Sequence, residues 1–100
     1  MLHIVNKSPF EKNSLASCLR LVAAGDHVLL IEDAVVAAVK NSRVQQLIIN
    51  AQAISTFYVL SPDLEARGLR NKQLISGIAS VNYDGFVDLT AAHHPVQSWL

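Results

Sequence analysis

Residues 27–40, HVLLIEDAVVAAVK, constrain this chain most. Val28-Leu29-Leu30-Ile31 is an unbroken apolar run, Glu32 and Asp33 follow it, and alanines and valines then continue without glycine or proline. A run that is apolar at every position belongs to a strand buried on both faces. A buried strand that passes directly into a helix is the repeating unit of a parallel α/β sheet. In open sheets of this kind, functional groups collect where strands end and helices begin. The segment therefore points to an architecture and to one place to look for chemistry.

The rest of the chain repeats the pattern. Leu2–Asn6 reads as a strand, and Lys7-Ser8-Pro9-Phe10 as a loop broken by proline. Asn13 or Ser14 is expected to cap a helix running to residue 24, with Leu15, Leu19, Val22 and Ala23 at helical spacing and Gly25 as its left-handed stop. His27–Ile31 is the second strand. Asp33 is placed to cap a helix whose first turn begins at Ala34. That helix is expected to break near Asn41-Ser42. Ser42 then caps a second piece carrying Val44, Leu47, Ile48 and Ala51. Thr56–Leu60 is β-branched and aromatic and reads as a strand. Ser61-Pro62-Asp63 reads as a turn into a short helix, Asp63–Arg67, stopped at Gly68. A strand at Ile78–Asn82, a turn at Asp84-Gly85, a helix over Phe86–His93 and a break at Pro95 follow. Val96–Leu100 remains as an edge strand or a docked tail. The alternation predicts an α/β fold: a small flavodoxin-like or Rossmann-like three-layer sandwich, its mostly parallel sheet of four or five strands covered by helices on both faces.

With 100 residues, the chain is expected to form a single domain, 1–100, too short for a two-halved dinucleotide-binding fold. Apolar residues make up 51% and charged residues 16%. A small domain has much surface to cover, so this charge-poor composition predicts burial against other subunits. The net charge is zero, which gives no support to direct nucleic-acid binding through phosphates. No leader-like segment is visible, and no apolar stretch reaches the ~18 residues of a membrane span. Cys18 is the only cysteine and has no internal partner for a disulfide. A cytoplasmic location is the expectation.

Cys18 is also the only soft nucleophile. An exposed thiol with a lowered pKa can carry sulfur as a persulfide. Cys18 lies between Leu15 and Val22 at the margin of the helix's apolar arc, so a buried structural role fits the spacing equally well. It is mid-helix, away from the helix N-terminus, and Arg20 points to another part of the helix. Glu32 and Asp33 can be imagined as a metal pair or an acid–base pair. Adjacent residues leaving a strand point opposite ways, however, and a capping role is the better reading. His93 and His94 project about 100° apart on a helix, which disfavours joint metal binding. His3 and His27 lie on strand-like runs, where a histidine is usually a satisfied structural group. No Cys–His spacing suits zinc, so no metal is expected. The strand-to-helix loops lack the glycines of a phosphate cradle, so no nucleotide or flavin cofactor is expected. No serine sits in a G-x-S-x-G elbow.

Several segments resemble the TusB/DsrH family when taken together. They are Leu2–Phe10, Ser14-Leu15 with Ser17-Cys18-Leu19, Leu29–Asp33 with Ala37-Ala38, Tyr58-Val59-Leu60 with Pro62-Asp63-Leu64 and Ala66-Arg67-Gly68, Tyr83 with Gly85–Thr90, and Val96-Gln97 with Trp99-Leu100. Each is weak alone; their order along the whole chain carries the match. The resemblance implies a subunit of a sulfur-relay complex, in which three related small α/β chains form a dimer of heterotrimers with TusC/DsrF-like and TusD/DsrE-like partners. Such a complex passes persulfide sulfur to an acceptor of the TusE/DsrC type, for 2-thiolation of the wobble uridine of tRNA or for dissimilatory sulfur oxidation. The principal persulfide cysteine of the family lies on the TusD/DsrE-type sister, and the cysteine that Cys18 matches is frequent but not universal. The resemblance thus implies an auxiliary role for this chain. Two alternatives are a sulfurtransferase in its own right through Cys18, and a homo-oligomeric interaction module that has lost the relay. The family commonly has glycine where this chain has Ala34, which requires an ordinary helical or extended backbone there.

Overall fold

The computed structural model describes all residues, Met1–Leu100. Five strands, β1 (Leu2–Val5), β2 (His27–Leu30), β3 (Thr56–Leu60), β4 (Ala79–Val81) and β5 (Val96–Trp99), form one sheet in the order β4-β3-β2-β1-β5. Every pairing is parallel. The helices are α1 (Ser14–Leu21), α2 (Gln45–Ala51), α3 (Ser61–Ala66) and α4 (Tyr83–Ala92), with a 3-10 segment at Glu32–Ala38. The α/β class, the parallel sheet and the final edge strand expected from the alternation are all present.

The strand order places the helices. The chain steps from β1 to β2 to β3 to β4 in one direction across the sheet, and right-handed crossovers put every intervening helix on the same face. The return from β4 to β5 runs the other way and puts α4 on the opposite face. The two cores follow. On the first face Val5, Val28, Leu30, Phe57 and Val59 pack against Leu15 and Cys18 of α1, the alanines of the 3-10 segment, Ile48 of α2 and Leu64 of α3. On the second face Leu2, Ile4 and Leu29 pack with Leu89 and Phe86 of α4, with Ile31, Tyr58 and Val81 beside them. The apolar run Val28–Ile31 serves both, alternating between them along β2.

Several local expectations are corrected. Helix α1 ends at Leu21, because Val22 turns extended at φ −65° and ψ 135°. Its continuation is captured by Asp26, whose carboxylate accepts from the Ala23 N–H at 2.9 Å. Gly25, at φ +86°, therefore sits in the tight turn before β2 and does not stop the helix. Neither Asn13 nor Ser14 caps α1 through its side chain; the Ser14 hydroxyl donates instead to the Leu100 carbonyl at 2.9 Å and ties α1 to the end of β5. Ser42 does not cap α2, since its hydroxyl reaches back to the Ala37 carbonyl. Ser61 and Pro62 already belong to α3, with proline in the first turn, where its missing N–H costs nothing. Helix α4 begins before the expected Asp84-Gly85 turn, because Asn82 caps it by accepting the Gly85 N–H at 2.9 Å.

Gly85 sits where α4 crosses β4. A Cβ there would lie 2.9 Å from the Val81 Cβ. Gly85→Ala is expected to lower stability by about 1–2 kcal/mol despite alanine's better helix propensity, because two fixed Cβ atoms must separate. Urea unfolding would measure it, and a neutral or stabilising result would contradict this account of the α4–β4 contact.

Candidate functional site

Cys18 lies on the inward arc of α1 with Ser14 and Leu15. It is wholly buried, inside the first-face core and not at its margin. Burial, and secondarily the negative charge of Asp26, push the Cys18 pKa up to about 12. The group at neutral pH is therefore a thiol, whereas nucleophilic attack and persulfide transfer need the thiolate. As folded, Cys18 is a small apolar filler beneath α1.

The strand-to-helix junction after β2 differs from the expected cap. Glu32 takes a left-handed backbone at φ 49°. The 3-10 segment opens two residues earlier than expected, after Ile31, and no side chain caps it. The Asp33 carboxylate points outward to Arg67 of the loop after α3, accepting from Nε at 3.1 Å and from a terminal nitrogen at 2.9 Å. Asp63 accepts the Glu32 N–H at 2.6 Å. The two acids do not converge on one point; the Asp33 carboxylate and the Glu32 backbone N–H fasten the 3-10 segment to Arg67 and Asp63. Ala34 has the ordinary helical backbone that its side chain demands, and the unusual turn falls on Glu32.

The polar centre of the first face is one that sequence reasoning missed. His3, 2% exposed, alternates with Leu2 and Ile4 and so points toward α1. Its Nε2 lies 2.9 Å from Asp26 Oδ2. The Trp99 indole N–H can only donate, and it reaches His3 Nδ1 at 3.1 Å. His3 Nδ1 must then accept, which leaves Nε2 as the protonated donor to Asp26. Asp26 also receives the Ala23 N–H at 2.9 Å and the Met1 amine at 3.2 Å. Burial raises its pKa, but these donors outweigh it and hold the carboxyl at about 2. This cluster joins β1, β2 and β5. The available signal was a lone acid and a lone histidine in otherwise apolar strand segments, each needing a buried partner.

His27 and His93 lie on the second face. His27 Nδ1 is 2.9 Å from the Tyr58 hydroxyl, and the His93 ring stacks on His27 with centroids 3.6 Å apart. His93 is therefore directed to the sheet and does not form a ligand pair with His94. No three His, Cys, Asp or Glu side chains converge as metal ligands. The sheet edge at β4 has a cleft of about 330 Å³ lined by Ser61, Glu65, Arg70, Lys72 and Ser80 over Leu64 and Leu74. No helix is long and apolar enough to cross a membrane.

The fold and these settings define a small all-parallel α/β chain whose buried polar groups brace the scaffold and whose single thiol is shut in its core. The chain belongs to the DsrH-like family: the family described as "DsrH like protein" matches residues 7–96. Protein TusB of Serratia proteamaculans is 39% identical over 99 residues, covering 99% of this chain and all of that one. Protein TusB of Shigella flexneri is 38% identical over the same share of both. Among solved structures, the ychN protein of E. coli superposes with a TM-score of 0.81 at 21% identity, covering 97% of each chain. A protein of unknown function from Methanobacterium thermoautotrophicum gives a TM-score of 0.74 at 17% identity, covering 97% of this chain and 95% of that one. These two structures share the fold.

Proposed function

We propose that this chain is a non-catalytic subunit of a cytoplasmic sulfur-relay complex, assembled with TusC/DsrF-like and TusD/DsrE-like chains as a dimer of heterotrimers. The complex hands persulfide sulfur to a TusE/DsrC-type acceptor. Full-length similarity to proteins named TusB supports the branch that ends in tRNA wobble-uridine 2-thiolation over the sulfur-oxidation branch. The observation that carries the auxiliary role is the setting of Cys18: a buried thiol with its pKa near 12 is unsuited to receive or release sulfur. The reactive cysteine then belongs to a sister chain, and this chain supplies scaffold and contact surface. Charge-poor composition and exposed apolar side chains on several helices, Leu21, Leu47, Ile49, Tyr83 and Val87 among them, fit a chain that works inside an assembly.

Co-expression with TusC- and TusD-like chains should yield a complex that survives size exclusion; a chain that stays apart from both would overturn the reading. Cys18→Ala is expected to leave assembly and sulfur transfer unchanged and to cost about 1 kcal/mol of stability from the lost sulfur packing. Intact-mass analysis after incubation with a persulfide donor should show no added sulfur on Cys18. A loaded Cys18, or relay lost in the alanine variant while the complex still assembles, would make this chain a carrier.

A further inference from the structure

The second face of the sheet has one helix over it, and imidazole rings fasten the end of that helix. His27 stands at the start of β2, and its Nδ1 shares a hydrogen bond with the Tyr58 hydroxyl at 2.9 Å. The Tyr58 ring lies 5.8 Å from it at 29°. The ring of His93, the residue that closes α4, stacks on His27 at 3.6 Å and 27°. The row Tyr58, His27, His93 thus runs from β3 through β2 to the end of α4. Beneath α4 lie Leu2, Ile4 and Leu29, all buried.

We infer that the His27–His93 stack is an acid-sensitive latch on α4, closed while at least one ring is neutral and opened when both rings carry protons. The physical reason is Coulombic. Two imidazolium rings 3.6 Å apart repel strongly where water is partly excluded, whereas one charged ring over a neutral aromatic ring is tolerated. Separating the rings removes this repulsion, so acid favours the open arrangement. The groups facing His27 are Tyr58 from β3, His93 from α4, the Met1 amine and Asp26. Burial, then His93, then the amine disfavour a proton on His27, and Asp26 alone favours one. Asp26 is already held by His3, Ala23 and the amine. Opening would bare the apolar floor of Leu2, Ile4 and Leu29, while the first face keeps its helices.

Amide hydrogen exchange, corrected for intrinsic rates, tests the latch on the full chain at pH 7.5 and 5.0. Protection of the last turns of α4 should fall about tenfold relative to α1 for each pH unit that separates the titrations of the open and latched rings. His93→Phe keeps a ring over His27 but cannot add a second charge. In that variant α4 should hold its protection in acid, and the His27 imidazole, followed by NMR, should titrate at higher pH than in the wild type. His27→Gln removes the charge from the other side and should also abolish the acid effect. Unchanged α4 protection in the wild type, an equal fall in α1 and α4, or the same fall in His93→Phe as in the wild type would each overturn the latch.

Discussion

Replacing Asp26 with alanine is expected to destabilise the protein by about 3 kcal/mol, because it strips the acceptor from a buried cluster of donors. His3 Nε2, the Ala23 N–H and the Met1 amine all converge on this carboxylate, and water has little access to replace it. Asp26→Asn keeps the shape and one acceptor oxygen, and should cost about half as much. The pH dependence provides a second readout. With its pKa lowered from 3.8 to about 2 on folding, the carboxylate contributes stability that is fully present above pH ~4 and is lost as pH falls toward ~2, on the order of 2 kcal/mol. His27, whose pKa is lowered by burial and by His93, loses its contribution in a separate window, as pH falls through and below ~6.5. Urea unfolding at pH 7.5, 5 and 3 would separate the two. The step below pH 4 should vanish in both Asp26 variants and the step below pH ~6.5 should remain. A step below pH 4 that persists in Asp26→Asn would assign the acid sensitivity to other carboxylates.

Phe57→Ala is expected to be the most damaging single truncation, at about 4 kcal/mol. Phe57 is fully buried on β3, one of the inner strands, and packs in the first-face core with Val28, Val59 and the residues under the helices. Its backbone is held by pairing with Val28, so the sheet cannot collapse into the space left behind. For a domain of this size the loss corresponds to about 20 °C in Tm. Thermal unfolding with Leu64→Ala as a comparison would check it. Leu64 lies in the same core on the short helix α3, where the neighbouring loop can relax, and should cost less. Equal losses at the two positions would show that the core yields as readily under the strands as under α3.

The strands were legible because a parallel sheet covered on both faces demands continuous apolar runs, and few other structures do. Val28–Ile31 and Thr56–Leu60 could hardly be read otherwise. Helix ends were less legible, since the groups that set them come from distant residues. Asp26 draws α1 to a close at Leu21, and the Ser14 hydroxyl leaves its own helix for the Leu100 carbonyl. The candidate site divides the same way. Cys18 was visible as the only thiol, and its spacing allowed both margin and core; its burial was decided by how α1 seats over β1 and β5. Asp33 met the rule for a cap, yet Arg67, distant in sequence, offered its carboxylate a charged fork. The same separation hid the cluster of His3, Asp26 and Trp99 altogether.

The segment 27–40 by itself determined that this chain builds a parallel α/β sheet, because apolar periodicity is a local property written along the chain. The order of short motifs along the whole chain carried the family resemblance that the comparisons bear out. The tertiary structure decided what the polar residues do. It sealed Cys18 in the core, turned Asp33 into a tie to Arg67, and gave His3 and His27 their partners. A hydrogen bond or a pKa depends on which groups meet in space, and the crossovers of the sheet bring together residues that the sequence keeps far apart.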